Sequence, residues 1–368
     1  MADEYLVKYS TWLMTDGYYQ ATLLDIHNHQ SKRIPKDVFR FLKVADKKPI
    51  GEIVSLFHDK TTVNEYISFL IKEGICFLSN KTDVRIMRDI SMFWDYPALI
   101  SNSIIDISKE NFGDLIAFFD EFSFSNTNIQ FRFLQDSVNS DEIIQIIQKV
   151  IHGKIEYVEF YFDSKHEESV LNSLLSTDKG KSSIVVKIFN STEKKMFLYD
   201  KMNVIKTDGK ISELQCGIFT LNENGEHFCE SQKYNTCLNR KLCIDKDGYI
   251  KNCPSMEHHY GHISNTKIED VVNLPEFQKW WHIKKDDIDV CKDCEFRHMC
   301  TDCRAFIKDP ENIYSQPAKC TYNPYICKWE GEEGYVPVEE CGTYSRETGF
   351  VPDKKKIKKL NKQIWADE

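Results

Sequence analysis

Cysteine placement constrains this chain more than any other feature. Of thirteen cysteines, Cys76 stands alone in the first 215 residues, and the other twelve crowd between Cys216 and Cys341. They therefore belong to one region and not to the fold as a whole. A reducing compartment keeps thiols free, and a cluster of free thiols there points to metal before disulfides. The opening Met-Ala-Asp-Glu-Tyr carries an acidic pair where a secretory signal has a basic region, and no stretch reaches the ~20 apolar residues of a membrane span. The expectation is a cytoplasmic protein without a membrane partner. Lysine and arginine number 48 against 57 acidic residues, for a net charge of -9, which disfavours a nucleic-acid partner. With 41% hydrophobic residues over 368 positions, the chain can build two or three cores.

Residues 1–82 read as a small mixed domain. Short apolar runs at Tyr5 to Met14 and Ala21 to Ile26 precede three helical patterns: Val38, Phe39, Phe41 and Leu42; Ile50, Ile53, Val54 and Phe57; and Val63, Tyr66, Ile67, Leu70 and Ile71. Gly74 stops the third, and Ile75 to Leu78 reads as a returning strand, so the segment has a winged helix-turn-helix character. The stretch 83–94 is charged and irregular, with a junction at Asp95-Tyr-Pro97.

Over 95–215 strands and helices alternate. Strands are predicted at Ser103 to Ile107, Ile129 to Leu134, Tyr157 to Phe162 and Ile184 to Phe189, with helices at Phe112 to Phe122 and Asp141 to Ile151. Helices between buried apolar strands argue for a parallel sheet or partial barrel. Residues 216–345 form the cysteine-rich segment, within which Asp245-Lys-Asp-Gly248 marks a hairpin turn. Residues 346–368 form a basic tail, read as a solvated helix anchored by Ile357, Leu360, Ile364 and Trp365. The expected class is thus a multi-domain α/β protein.

The densest cysteine run is Cys291-Lys-Asp-Cys294-Glu-Phe-Arg-His-Met-Cys300-Thr-Asp-Cys303, or C-x2-C-x5-C-x2-C, with Cys320 sixteen residues beyond. Upstream, Cys237 and Cys253 bracket Gly248 as C-x10-G-x4-C, with Cys243 between them and Cys229 just before. Two tetrahedral sets can be drawn, and zinc is open to either. Zinc ribbons, however, separate their C-x2-C knuckles by about 12 to 20 residues, where five intervene here. Spacing therefore favours iron–sulfur ligation over zinc, although all-cysteine shells serve both.

These motifs, with Tyr260-Gly-His-Ile263, the helix Ile268 to Leu274 and Phe277-Gln-Lys-Trp280, resemble the SPASM domain that follows the barrel of many peptide-modifying radical S-adenosylmethionine enzymes. The resemblance covers about 230–330. It implies two 4Fe-4S clusters, one on Cys291, Cys294, Cys300 and Cys320, the other on Cys237, Cys253 and Cys303 with Cys243 or Cys229 as fourth ligand. The chain departs from the family in reading C-x5-C-x2-C where C-x5-C-x3-C is usual.

A radical S-adenosylmethionine enzyme also needs C-x3-C-x2-C near the start of its barrel. At that place the chain reads Leu99-Ile-Ser-Asn-Ser-Ile-Ile-Asp-Ile107, and no cysteine follows until Cys216. The middle segment is then expected to be a degenerate barrel with no S-adenosylmethionine cluster. A cysteine-poor barrel-like part joined to a SPASM end resembles the SPASM-domain peptide maturase of grasp-with-spasm systems, most closely at Cys237-Leu-Asn-Arg-Lys-Leu-Cys-Ile-Asp-Lys-Asp-Gly248. That resemblance implies an ATP-grasp ligase and a precursor peptide as partners. The first domain is similar to the winged peptide-recognition elements that take a leader peptide as an added strand. Two further readings stay open: an enzyme in which an auxiliary cluster modifies the peptide directly, and a zinc-stapled interaction scaffold.

Other residues have plainer readings. His258, His259 and His262 are close enough for a second metal or a proton shuttle, but His262 sits in a Gly-x-Ile turn the family pattern uses structurally. Cys216, Cys327 and Cys341 are spare ligands or ordinary thiols, and Cys76 is a packed hydrophobe. Trp280, Trp281 and Trp329 shield a cluster or, on the favoured reading, belong to the core. No Gly-rich phosphate loop or G-x-S-x-G elbow offers a seat for ligation or serine chemistry.

Overall fold

Alternating apolar residues near the start of the chain fold as strands β1 (Tyr5–Lys8), β2 (Trp12–Asp16), β3 (Gln20–Asp25) and β4 (Gln30–Pro35). In the computed structural model, which describes residues 4–121, 128–134, 138–151, 155, 157–177, 183–199, 202–211 and 221–366, the last three form an antiparallel meander. The three predicted helices follow as α1 (Lys36–Ala45), α2 (Ile50–Leu56) and α3 (Lys60–Lys72). Asp59 caps α3 by accepting from the Thr61 and Thr62 amides, and Gly74 at φ +67° ends it, a conformation costly to any side chain. Strands β5 (Lys48–Pro49) and β6 (Cys76–Ser79) pair antiparallel with opposite edges of β1. Phe39, Leu42, Ile53, Leu70 and Cys76 close the core. In the stretch read as irregular, α4 (Lys81–Ile86) forms on an Asn80 cap and buries no residue, which is why no periodicity announces it.

At residue 95 the chain enters a second compact unit made of residues 95–218 and 237–282; residues 1–94, 219–236 and 283–368 make the first. The second unit begins with β7 (Asn102–Ile107), α5 (Phe112–Glu121), β8 (Asn128–Phe133), α6 (Ser140–Ile151), β9 (Tyr157–Asp163), α7 (Glu167–Ser176), β10 (Ser183–Phe189), β11 (Lys195–Tyr199) and β12 (Met202–Lys206). After α8 (Gly225–Ser231) in the first unit, the hairpin β13 (Lys241–Ile244) and β14 (Ile250–Lys251) joins the same sheet. The eight strands run in the order β11-β12-β10-β9-β8-β7-β13-β14. The six inner ones are parallel and both edges antiparallel, so the protein is mixed α/β.

One face of this sheet carries Ile105, Phe131, Phe160, Val186 and Leu242, which cluster with Leu115, Ile147 and Leu174 of the helices. The other face is polar: Arg132 binds both carboxylate oxygens of Asp106, at 2.5 and 2.8 Å, and Gln130 donates to Glu159 at 2.6 Å. Strand β11 exposes most of its side chains and leaves no alternating signature, so the sequence reading passes over it. Residues 237–282, read from the sequence as part of the cysteine-rich segment, pack with the sheet because Leu242, Ile244, Val271, Phe277 and Trp281 join its core. Val271 lies on α9 (Ile268–Val272), and Phe277 on α10 (Pro275–Gln278).

Back in the first unit the chain has little regular structure: β15 (Tyr322–Asn323), β16 (Lys328–Trp329), β17 (Gly342–Ser345) and β18 (Gly349–Pro352) are short pairs. The tail forms the helix its periodicity predicts, α11 (Lys354–Ile364), capped by Asp353, with Ile357, Leu360 and Ile364 packed against Tyr325 and Phe350. Among the described residues no helix is long and apolar enough to cross a membrane.

Candidate metal centre

Two tight turns present the densest cysteine run. Val290 takes the left-handed conformation (φ +67°), and Cys291–Asp293 then make a 3-10 turn closed by the Cys294 amide donating to the Cys291 carbonyl at 2.9 Å. A second turn brings the Cys300 amide to the Phe296 carbonyl at 3.0 Å, and the Cys320 amide donates to the Pro317 carbonyl at 3.2 Å just before β15. The result is a small, partly open cavity of about 20 Å3 lined by Cys291, Cys294, Cys300 and Cys320, with Val290, Phe296 and Tyr322 as apolar wall. All four cysteines are free thiols. Cys291 and Cys300 are buried, Cys294 and Cys320 half-buried.

The residues inside the C-E-F-R stretch hold these turns. Glu295 is fully buried and accepts from the Tyr322 hydroxyl. Arg297 donates to Asp286 at 2.7 Å, to the Cys294 carbonyl at 3.1 Å and to the Asp16 carbonyl. A Cβ on Gly17 would fall 2.8 Å from the Cβ of Glu295, so a glycine is what lets the β2–β3 turn lie against this stretch.

Electrostatics favour an anionic guest. The Phe296 amide donates to Cys294 Sγ at 3.4 Å, and the Lys285 ammonium lies 3.9 Å from Cys291 Sγ. Lys285 is 3% exposed and pairs with Asp302 at 3.3 Å; Arg304, also buried, donates to the same carboxylate at 2.8 and 3.1 Å. Two cations on one carboxylate leave buried positive charge beside the sulfurs. Burial disfavours the Lys285 ammonium, but Asp302 and the thiols of Cys291 and Cys300 outweigh it and hold its pKa well above the ordinary lysine value. Burial pushes the Cys291 thiol up to about 12, Cys300 up to about 11, and Cys294 well above its ordinary value. Alone, these thiols keep their protons; bound metal displaces them. Lys285 escapes sequence reasoning, since nothing in Lys284-Lys-Asp-Asp287 marks one lysine for burial.

The upstream set is divided between the units. Cys237, Cys243 and Cys253 belong to the second; Cys303 and Cys229 belong to the first. Cys243 is fully buried on β13, its thiol donating to the Asn252 carbonyl at 3.4 Å, and burial raises it to about 12. The Lys241 ammonium lies 3.8 Å from Cys237 Sγ. Cys229 is buried on α8 with its thiol 3.9 Å from the Ser91 carbonyl. Among the described residues, no group of three or more His, Cys, Asp or Glu side chains is arranged to hold a metal ion.

The remaining candidates have structural contacts. His262 bonds the Asp247 carbonyl and the Ser264 hydroxyl, both at 2.8 Å, under the Gly248 turn. His258 and His259 pack on Tyr260 and Tyr249. The Cys327 thiol donates to the Pro324 carbonyl at 3.7 Å, Cys341 Sγ accepts from Asn323 at 3.3 Å, and Cys76 lies in the first core. Cys216 falls outside the described residues. Trp281 is sheet core, while Trp329 packs against Phe296 and Tyr322 of the cavity wall. Compared with known protein families, characterised proteins and solved structures, the chain matches none.

Proposed function

We propose that this chain is an iron–sulfur protein of the SPASM type that takes part in maturing a ribosomally made peptide, alongside an ATP-grasp ligase. The observation that carries the reading is the cavity lined together by Cys291, Cys294, Cys300 and Cys320. A zinc ion at Zn–S distances of about 2.3 Å draws four sulfurs onto one point, whereas a cubane spreads its ligands over four irons. What favours the larger group is the five-residue interval between the two C-x2-C pairs, shorter than a zinc ribbon uses, and not the size of the void. A cluster bound there supplies one-electron transfer. The chain's own part is to hold the sulfurs through two turns, shield them with Phe296, Tyr322 and Trp329, and offset their charge with Lys285. The three helices and flanking strands of residues 36–79 support a winged peptide-binding element, and the sheet of the second unit a degenerate barrel.

Anaerobic reconstitution with iron and sulfide tests this. We expect a coloured protein with about four irons and four sulfides per intact site, reduced by one site's worth in Cys291→Ala and Cys294→Ala. Stoichiometric zinc uptake by a colourless protein overturns it. If those variants keep peptide binding but lose product, an auxiliary cluster does the chemistry itself; joint loss of folding and binding marks a scaffold.

A further inference from the structure

The tail helix α11 lines an open groove of about 590 Å3 against the β2–β3 turn, with Tyr18 and Tyr19 on the facing wall. Three lysines of this lining, Lys354, Lys358 and Lys362, are exposed, and no carboxylate lines the groove with them. None of the three makes an ion pair or side-chain hydrogen bond among the described residues. In a chain of net charge -9 this is a concentrated cationic strip. Trp365 also lines an adjoining groove of about 520 Å3 that carries Arg33, Lys328 and the carboxylate of Glu332, together with Lys32, which is already paired with Glu73.

The spacing of the strip suits one shape of partner. Residues four apart on a helix are displaced by about 6 Å along its axis, and alternate residues of an extended chain by about 6.6 to 6.8 Å. Acidic side chains at every second position of an extended peptide therefore meet the three lysines in turn.

We infer that this groove docks an extended peptide bearing acidic residues at alternate positions. The inference rests on the peptide-maturation reading for the class of its partner, and no lining residue is shared with the cysteine cavity. A nucleic-acid strand fits less well, because the strip is short and the rest of the chain repels a polyanion.

The test uses the full chain and a fluorescein-labelled peptide alternating Glu with Val and Thr. Binding at low salt is expected to weaken about tenfold in Lys358→Glu/Lys362→Glu, and severalfold when the same residues are reordered with the glutamates in one block. Both lysines are exposed, so circular dichroism should confirm an intact fold. Equal binding by the charge-reversed protein, absence of binding, or tighter binding of a single-stranded oligonucleotide overturns the proposal. Iron and sulfide assayed on the same samples keep the two readings apart. Full iron without peptide binding removes the groove alone, and peptide binding without iron removes the cluster alone.

Discussion

The eight-stranded sheet and the cysteine segment of residues 283–341 are held together by different means. In the sheet, apolar residues repeat every second position along each strand, as Ile129, Phe131 and Phe133 do on β8 and Val158, Phe160 and Phe162 on β9, and they cluster with residues of α5, α6 and α7, so stability accrues from apolar area removed from water. In the cysteine segment, short 3-10 turns and two-residue strands surround four thiols and a buried Lys285–Asp302–Arg304 group. Stacked layers need no guest, whereas irregular turns gathered around sulfur gain their rigidity from whatever the sulfur binds.

On the proposed iron–sulfur reading, the largest expected effect is removal of iron by anaerobic chelation from the reconstituted protein. Amide hydrogen exchange over 283–341 should accelerate by about 10⁴-fold, roughly 5 kcal/mol of lost local stability, while β7–β10 keep their protection. Equal acceleration in both regions would erase the distinction. Next comes Ile147→Ala, in the core beneath the sheet: a cost of about 3 kcal/mol by denaturant unfolding, with iron content unchanged. Lys285→Met should follow, lowering the cluster's midpoint potential by roughly 60 mV, a tenfold shift for one electron, because a positive charge beside Cys291 favours the reduced form. Spectroelectrochemistry reads this, and an unchanged potential with full iron would show the ammonium to be merely structural. The smallest is Asp353→Ala, which removes the α11 cap and should cost about 1 kcal/mol, seen as faster exchange at Lys355 and Lys356 alone.

The same contrast explains what could be read from the sequence. Helices α1 to α3, β6 and the parallel strands β7 to β10 announce themselves because one face of each is apolar at the right period, whereas β12 is passed over and β13 is read only as part of a hairpin. Cys291, Cys294 and Cys300 meet at the cavity because tight turns bring near neighbours together whatever surrounds them, whereas the choice of Cys320 over the nearer Cys303 comes from the family resemblance and not from spacing. The distribution of Cys237, Cys243 and Cys253 apart from Cys303 was not legible. It depends on β13 pairing with β7, a contact between residues more than 130 positions apart. Lys285, Asp302 and Arg304 stayed hidden because charged residues look alike in sequence until a tertiary fold buries some of them.

One consequence follows from the chain's path. Leu13 and Leu24 share a core with Phe228, Phe296 and Tyr322, which follow 204 to 309 residues later. A ribosome delivering this protein from its amino end must therefore leave that early surface uncovered until the stretch from Phe228 to Tyr322 has emerged. Assembly of the first unit is then a late event, and a truncated product should be prey for proteases rather than a working fragment.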